Sequence, residues 1–147
     1  MKEDALVTIN QDSIFSAIDL VPTLLEICQA SPAPNSTFDG EPLADTLLGE
    51  SNSSRQKPIF FRRPPDRNSF YGVNDLPDLA VRNGRWKLLC EYDGSAPLLY
   101  DLSIDPKEST NLAKQRPDIL KELTKAVVAW HNAMPTDNGP ALEYGSD

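Results

Sequence analysis

The sequence is poor in histidine, cysteine and basic side chains, and each shortage excludes a class of function. His131 is the one histidine among 147 residues, so they cannot form a site with several histidine ligands. Lys and Arg number 14 against 22 Asp and Glu, and the net charge of −8 argues against a nucleic-acid-binding protein. Cys28 and Cys90 are too few for a disulfide-dense scaffold, and we expect two buried free thiols rather than the one possible bridge.

Long apolar runs and glycine-rich phosphate loops are also missing. No apolar run approaches the ~18 residues of a membrane span, and residues 1–30 do not have the pattern of a signal peptide. Neither G-x-x-x-x-G-K-[ST] nor G-x-G-x-x-G occurs. We therefore expect neither a membrane nor a nucleic acid among the partners. The chain has 39% apolar and 24% charged residues, which is typical of a globular protein, but it is short of catalytic residues.

Apolar residues at helical spacing predict a first helix near residues 19–30. Pro22 fits as the third helical residue if Asp19 is the N-cap, and Ser16 is an alternative, earlier cap. The helix is apolar on nearly two faces, so we expect it to be buried on both sides. Its apolar residues include Leu20, Val21, Leu24, Leu25 and Ile27.

After a polar connector at residues 50–57, the pattern changes to that of strands. The strand-like runs are "KPIFFRRP", "DLAVR", "RWKLLCEY" and "PLLYDL". Asn83-Gly84 between the second and third runs is typical of a type I′ hairpin turn, and Asp93-Gly94 predicts a second turn. These features predict a four-stranded antiparallel sheet.

A long amphipathic helix is predicted from about Pro117 to Asn132. Leu120, Leu123, Val127 and Trp130 form a single apolar stripe, and Pro135 ends the pattern. A sheet with one helix on a face is an α+β unit. The fold class predicted for this part of the chain is therefore α+β.

The loop after the first strand carries the strongest candidates for binding an anion. Arg62 and Arg63 end the strand, and on a strand only one of them can face a given site. Arginine can grip an anion with its forked donors, whereas the alternative is a solvated strand end. The loop at residues 64–78 then adds Arg67, Phe70 and Tyr71.

Five segments, taken in order, resemble the C-terminal third of the type I sulfatases. They are "IDLVPTLLEI" (18–27), "FDGEPLADTLLG" (38–49), "AVRNGRWKLL" (80–89), "LLYDLSIDPKESTNLA" (98–113) and "LKELTKAVVAW" (120–130). The resemblance spans about residues 7–135, and the third and fourth segments are specific in combination.

The resemblance implies an architecture and a division of the chain. Residues 1–50 would be the tail of a large catalytic domain with the alkaline-phosphatase-like α/β fold, including its last helix and loop. Residues 51–147 would be the smaller C-terminal subdomain. Met1 would then not be a natural start, and the N-terminal catalytic domain would be the missing partner.

The resemblance also implies which functional groups lie elsewhere. Sulfatases use a nucleophile in a C-x-P-S-R-type motif that is oxidised to formylglycine, together with Ca²⁺, and neither Cys28 nor Cys90 lies in such a motif. We therefore expect no catalytic residue, metal ligand or cofactor in this chain, which alone would be inactive. The parent enzyme would be periplasmic or secreted and would contain calcium and formylglycine.

The substrate implied by the resemblance is a sulfate ester, and a sulfated carbohydrate is favoured over a small aryl sulfate. Recognition of a sulfated sugar needs forked cationic donors and aromatic rings. We expect Arg62, Arg63, Arg67 and Tyr71 to contact it, as in an N-acetylgalactosamine-6-sulfatase-like enzyme. The alternatives are a fragment of a phosphoester or phosphonate hydrolase of the same superfamily, or a free-standing binding module. Exposed apolar surface would make the fragment self-associate.

Overall fold

A computed structural model of the chain describes residues 9–63 and 76–135. The chain divides into two compact units, and the division falls after Lys57. Within the described residues, no helix has both the length and the apolar character needed to cross a membrane.

Within residues 9–57 the first unit contains two short α-helices. A 3-10 turn at Ala17–Asp19 leads directly into α1 (Leu20–Ile27), and α2 (Ala44–Leu47) is a single turn. Pro22 is the third residue of α1, where the amide it lacks would have no intrahelical partner. Ser16 precedes the 3-10 turn and its amide donates to the Asp19 carboxylate, so both candidate cap positions are used in succession.

The polarity of α1 is the reverse of that expected for an ordinary surface helix. Asp19 and Thr23, on its inner side, are fully buried. The outer side carries an apolar stripe whose members are 36–53% exposed, namely Ile18, Leu20, Val21, Leu24 and Ile27. The expectation that this helix is buried on both sides is therefore wrong for the described chain.

Buried polar contacts attach α1 to the loop that follows it. Asp19 Oδ1 accepts hydrogen bonds from the amide of Glu41 and from the guanidinium of Arg55. Thr23 Oγ1 accepts a hydrogen bond of 3.0 Å from the amide of Leu43. These contacts turn the polar side of α1 inward and leave its apolar stripe outside.

In its described residues the second unit is an antiparallel four-stranded sheet with one long helix, as the sequence predicted. The strands lie in the order of the sequence and are β1 (Ile59–Arg62), β2 (Leu79–Asn83), β3 (Trp86–Cys90) and β4 (Leu98–Asp101). Helix α3 (Pro117–Ala133) packs against β1, β2 and β3. The α+β fold class is confirmed.

The turn between β2 and β3 lies one residue later than predicted. Asn83 pairs with Trp86, so Gly84 and Arg85 are the two central residues of the turn. Of these, Gly84 alone has a positive φ, 54°. A positive φ at the first central residue is the type II′ pattern, whereas the predicted type I′ turn needs positive φ at both. The prediction failed because Asn83 stays in the ladder.

The core of the second unit lies between α3 and one face of the sheet. Leu123 and Val127, from the predicted apolar stripe, are 3% and 0% exposed. Another residue of that stripe, Trp130, stacks on Phe60 of β1 with ring centroids 5.3 Å apart. The buried sheet residues of this core are Leu79, Val81, Leu88, Cys90 and Leu99.

The two cysteines lie in different environments. Both are free, but Cys28 at the end of α1 is exposed whereas Cys90 is buried in the core. The prediction of two free thiols is confirmed, but the prediction that both are buried is wrong for Cys28. The exposure of Cys28 follows from the outward-facing apolar side of α1.

Candidate functional site

Two of the four predicted substrate-binding residues lie within the described part of the chain. Arg62 is the last residue of β1 and Arg63 follows it, and both side chains are partly exposed. Strand alternation places them on opposite faces, with Arg62 on the face of its pairing partner Leu79. Arg67 and Tyr71 lie outside the described residues, so the structure does not bring the four together.

Arg63 is bonded to Asp78, the residue just before β2. The Arg63 amide donates to the Asp78 carbonyl at 2.8 Å, and Nη2 lies 3.1 Å from Asp78 Oδ1. No local pattern in the sequence marks Asp78 as part of a site. Once β1 and β2 are paired, the register predicts the contact, because Arg63 and Asp78 follow the pair Arg62–Leu79.

A tyrosine and a histidine extend this cluster to the helix. The Tyr92 hydroxyl donates to the Arg63 carbonyl at 2.9 Å, and the Tyr92 ring stacks on His131 with centroids 4.8 Å apart. His131 lies in the last turn of α3. Its Nδ1 atom is buried and has no hydrogen-bond partner among the described residues.

Carboxylates shift the pKa values of their neighbours at this end of the sheet. A side-chain hydrogen bond with Asp78 is the main cause of the raised pKa of Glu91, a half-buried residue just after β3. Burial is the main cause of the raised pKa of the Cys90 thiol, which is about 11, and the charges of Glu91 and Asp93 contribute less. The Cys90 thiol is therefore protonated at neutral pH and unsuited to act as a nucleophile.

The sheet face opposite α3 has a shallow cavity of about 380 Å³. Its floor is formed by Phe61, Ala80 and Leu89, and Phe61 is 54% exposed. A salt bridge of 2.6 Å between Lys87 and Glu108 borders it. Apolar side chains line the cavity and charged side chains border it. Its lining residues include no nucleophile paired with a base.

The described residues do not fit a calcium centre. Across residues 9–63 and 76–135 there is no group of three or more His, Cys, Asp or Glu side chains that could hold a metal ion. Hard cations such as Ca²⁺ take six to eight oxygen ligands, so a pair of carboxylates is insufficient. No catalytic step can be assigned to a metal held by these residues.

Curated relatives of this chain are sulfatases. It is 36% identical over 114 residues to arylsulfatase K of Mus musculus, covering 76% of this chain and 20% of the relative. It is 37% identical over 133 residues to arylsulfatase A of Homo sapiens, covering 74% and 25%. The N-acetylgalactosamine-6-O-sulfatase of Bacteroides thetaiotaomicron is 30% identical over 129 residues, covering 78% and 23%. No family model matches the chain.

Solved structures give the same relationship. A protein from work on glycosaminoglycan metabolism by Bacteroides thetaiotaomicron superimposes with a TM-score of 0.61 and 26% identity, covering 82% of this chain and 25% of its own. A protein described as a 2-O GAG sulfatase matches with a TM-score of 0.51 and 27% identity, covering 78% and 25%.

The fold and these matches identify the chain as a C-terminal region of a protein of the alkaline-phosphatase-like class. More narrowly, the chain is homologous to the sulfatases and corresponds to a C-terminal part of them. It spans only about a fifth to a quarter of the length of the curated relatives that it matches.

Proposed function

We propose that this chain is the C-terminal part of a sulfatase that hydrolyses sulfate esters of carbohydrates. The observation that carries this proposal is the match to an N-acetylgalactosamine-6-O-sulfatase, at 30% identity over 129 residues. Two of the solved structures that match, one from work on glycosaminoglycan metabolism and one a 2-O GAG sulfatase, support the same substrate class. The whole enzyme would use calcium and formylglycine supplied by the rest of the polypeptide.

In this proposal residues 1–50 end the large catalytic domain and residues 51–147 form the smaller subdomain. The outward apolar stripe of α1 supports the assignment, since such a helix needs an apolar partner surface. Because Asp19 and Thr23 are fully buried on the inward polar side, the stripe is the side of α1 that would face that partner. The partner would be the catalytic domain that the relatives' greater length provides.

The candidate substrate contacts in this proposal are Arg62, Arg63, Arg67 and Tyr71, and since Arg62 and Arg63 lie on opposite faces of the sheet, one of these two would face the sulfate group. Arginine presents five N–H donors in a planar fork, which suits the oxygens of a sulfate group, and a tyrosine ring can stack on a sugar. The bond from Arg63 Nη2 to Asp78 uses part of that fork and orients the rest. Arg63 would thus reach the substrate with a guanidinium already held in place.

The chain alone would not turn over a sulfate ester. Neither of its cysteines lies in the nucleophile motif, and the described residues contain no calcium cluster. The test is an assay of the purified chain with an aryl sulfate and added Ca²⁺. Turnover that is abolished by a substitution within residues 1–147 would disprove this part of the proposal.

Substrate specificity is tested in the full-length enzyme with Arg62→Ala, Arg63→Ala and Tyr71→Ala. Each variant is compared with the unmodified enzyme on a sulfated saccharide and on a small aryl sulfate. We expect kcat/KM to fall mainly for the saccharide, by roughly tenfold, as for a lost contact worth ~1.4 kcal/mol in the transition state. Arg82→Ala is the matched control, because Arg82 lies on the same sheet and its Nε bonds to the nearby Gly84 carbonyl. Unchanged saccharide turnover in all three variants would contradict the assignment.

A further inference from the structure

The two arginines at the end of β1 lie on different faces of the sheet. Arg62 pairs with Leu79, a residue of the core that α3 covers, so the Arg62 side chain lies on the α3 side. The ladder continues to Arg63, whose amide donates to the Asp78 carbonyl at 2.8 Å. Strand alternation therefore places Arg63 on the face away from α3, together with Phe61 two positions before it.

Phe61 offers an exposed aromatic ring on this face. It is 54% exposed, whereas Ala80 and Leu89, which form the cavity floor with it, are half-buried. The cavity of about 380 Å³ has a size typical of small-molecule sites, and the Lys87–Glu108 salt bridge borders it. The exposed apolar area is close to that of one ring. A stable protein interface buries about 800 Å² on each partner, so this patch suits a small ring-shaped ligand better than a second protein.

Three hydrogen bonds hold Arg63 in place beside Phe61. Its amide donates to the Asp78 carbonyl, its carbonyl accepts from the Tyr92 hydroxyl, and its Nη2 atom lies 3.1 Å from Asp78 Oδ1. Among the described residues the guanidinium makes no other hydrogen bond, so Nε and Nη1 keep donors for an anion. A guanidinium that is already ordered loses less conformational entropy when it binds a ligand.

We propose that Phe61 and Arg63 form a binding site for a sulfated sugar residue. The apolar C–H face of the sugar covers the Phe61 ring, and the planar fork of Arg63 binds the sulfate oxygens. The inference rests on the proposed function for the class of its ligand. It goes further by assigning the sulfate group to Arg63 rather than Arg62, and by giving Phe61 a role in binding.

The test is a titration of the 147-residue chain with N-acetylgalactosamine 6-sulfate, followed by NMR. The reporters are the backbone amides of Ala80 and Leu89, which flank Phe61 on the cavity floor. Unsulfated N-acetylgalactosamine and inorganic sulfate are titrated in parallel. We expect saturable shifts with the sulfated sugar, and affinities about tenfold weaker for the unsulfated sugar and for inorganic sulfate. A tenfold preference for sulfate is the size expected for a lost charge-assisted hydrogen bond.

Variants assign the two parts of the ligand to the two side chains. Arg63→Ala should lower the affinity for the sulfated sugar to that for the unsulfated one. Arg63→Lys keeps the positive charge beside Asp78 but lacks the planar fork, and it should lose most of the preference. Phe61→Ala should weaken both sugars by about fivefold, as for ~40 Å² of apolar area left uncovered, and Phe61→Trp should restore binding. Lys125→Ala, which removes an exposed cation of α3, is the matched control and should change neither affinity.

Three results would overturn the proposal. They are the absence of saturable shifts at Ala80 and Leu89, equal affinity with and without the sulfate group, and a preference for sulfate that survives Arg63→Ala. The proposed function fails separately, because it is tested by turnover in the full-length enzyme. Turnover of the saccharide by that enzyme, without binding by the chain, would overturn the site alone.

Discussion

Asp19 and Arg55 form a buried ion pair between positions that lie 36 residues apart. Their side chains are 0% and 2% exposed, and Arg55 also donates to the carbonyls of Asp39 and Lys57. The pair joins the start of α1 to the end of the first unit. Because the hydrogen-bonding groups around it are satisfied, neither charge is left bare in the interior.

Removing one member of this pair should strongly destabilise the first unit. Arg55→Ala leaves the Asp19 carboxylate buried and uncompensated, which typically costs about 3–5 kcal/mol. The change is measured by urea unfolding followed by circular dichroism. Tryptophan fluorescence would not report on the first unit, because Trp86 and Trp130 both lie in the second unit. Arg82→Ala, at a partly exposed position, should change the free energy of unfolding by less than about 0.5 kcal/mol. Equal stability of the two variants would show that the ion pair contributes nothing.

Gly40 should not tolerate even one added carbon. A Cβ at this position would collide with the Ile18 carbonyl oxygen and lie 2.6 Å from its carbon, both of which are backbone atoms. Gly40→Ala must therefore displace the chain that enters α1, and we expect a loss of about 2 kcal/mol or more in thermal or urea unfolding. Gly84→Asn is the control, because nothing lies within 4 Å of a Cβ there and asparagine tolerates a positive φ. A Gly40→Ala variant as stable as this control would contradict the close approach.

The two thiols should react at very different rates. Cys28 is exposed, whereas Cys90 is buried in the core and its pKa is raised to about 11. With a chromogenic aromatic disulfide reagent, we expect one thiol equivalent, that of Cys28, to react rapidly in the native chain. A second equivalent should react only after unfolding. Cys28→Ser should remove the rapid phase, and Cys90→Ser should leave it. Two rapid equivalents from the folded chain would refute the assignment.

The apolar stripe of α1 should make the isolated chain self-associate. At about 25 cal/mol for each Å² of apolar area, covering a patch of several hundred Å² contributes several kcal/mol. Leu24→Lys places a charge in the stripe, where Leu24 is 50% exposed, and should shift sedimentation toward monomer. Ile104→Lys is the matched control, since Ile104 is 77% exposed and lies in the second unit. A strictly monomeric unmodified chain at high concentration would disprove this prediction.

Much of the second unit could be predicted because its signals are local. The stripe of α3 buries Leu123 and Val127 as its spacing indicates, and the strands lie where apolar runs alternate with turn residues. The hairpin turn was wrong by one residue because the pairing of Asn83 with Trp86 extends the ladder. Asp101, the last residue of β4, also makes a local contact, since its Oδ1 accepts hydrogen bonds from the amide and hydroxyl of Ser103.

The candidate site could be predicted only in part. The strand end with Arg62 and Arg63 was found from sequence, because adjacent arginines before two prolines mark where a strand stops. Asp78, Glu91 and Tyr92 were missed. Each belongs to another strand or its flank, and contact with Arg63 depends on the register between strands.

The sequence by itself determined the order and type of the main elements, since apolar periodicity and turn residues act over only a few positions. Tertiary structure decided which charged groups meet. The spacing of 36 residues between Asp19 and Arg55 carries no periodic signal, yet folding brings the two together in the interior. It also decided which side of α1 faces out, because Asp19 and Thr23 are held by backbone amides of a loop about 20 residues away. A buried polar group is stable only where such partners converge, and that convergence is a property of the folded chain.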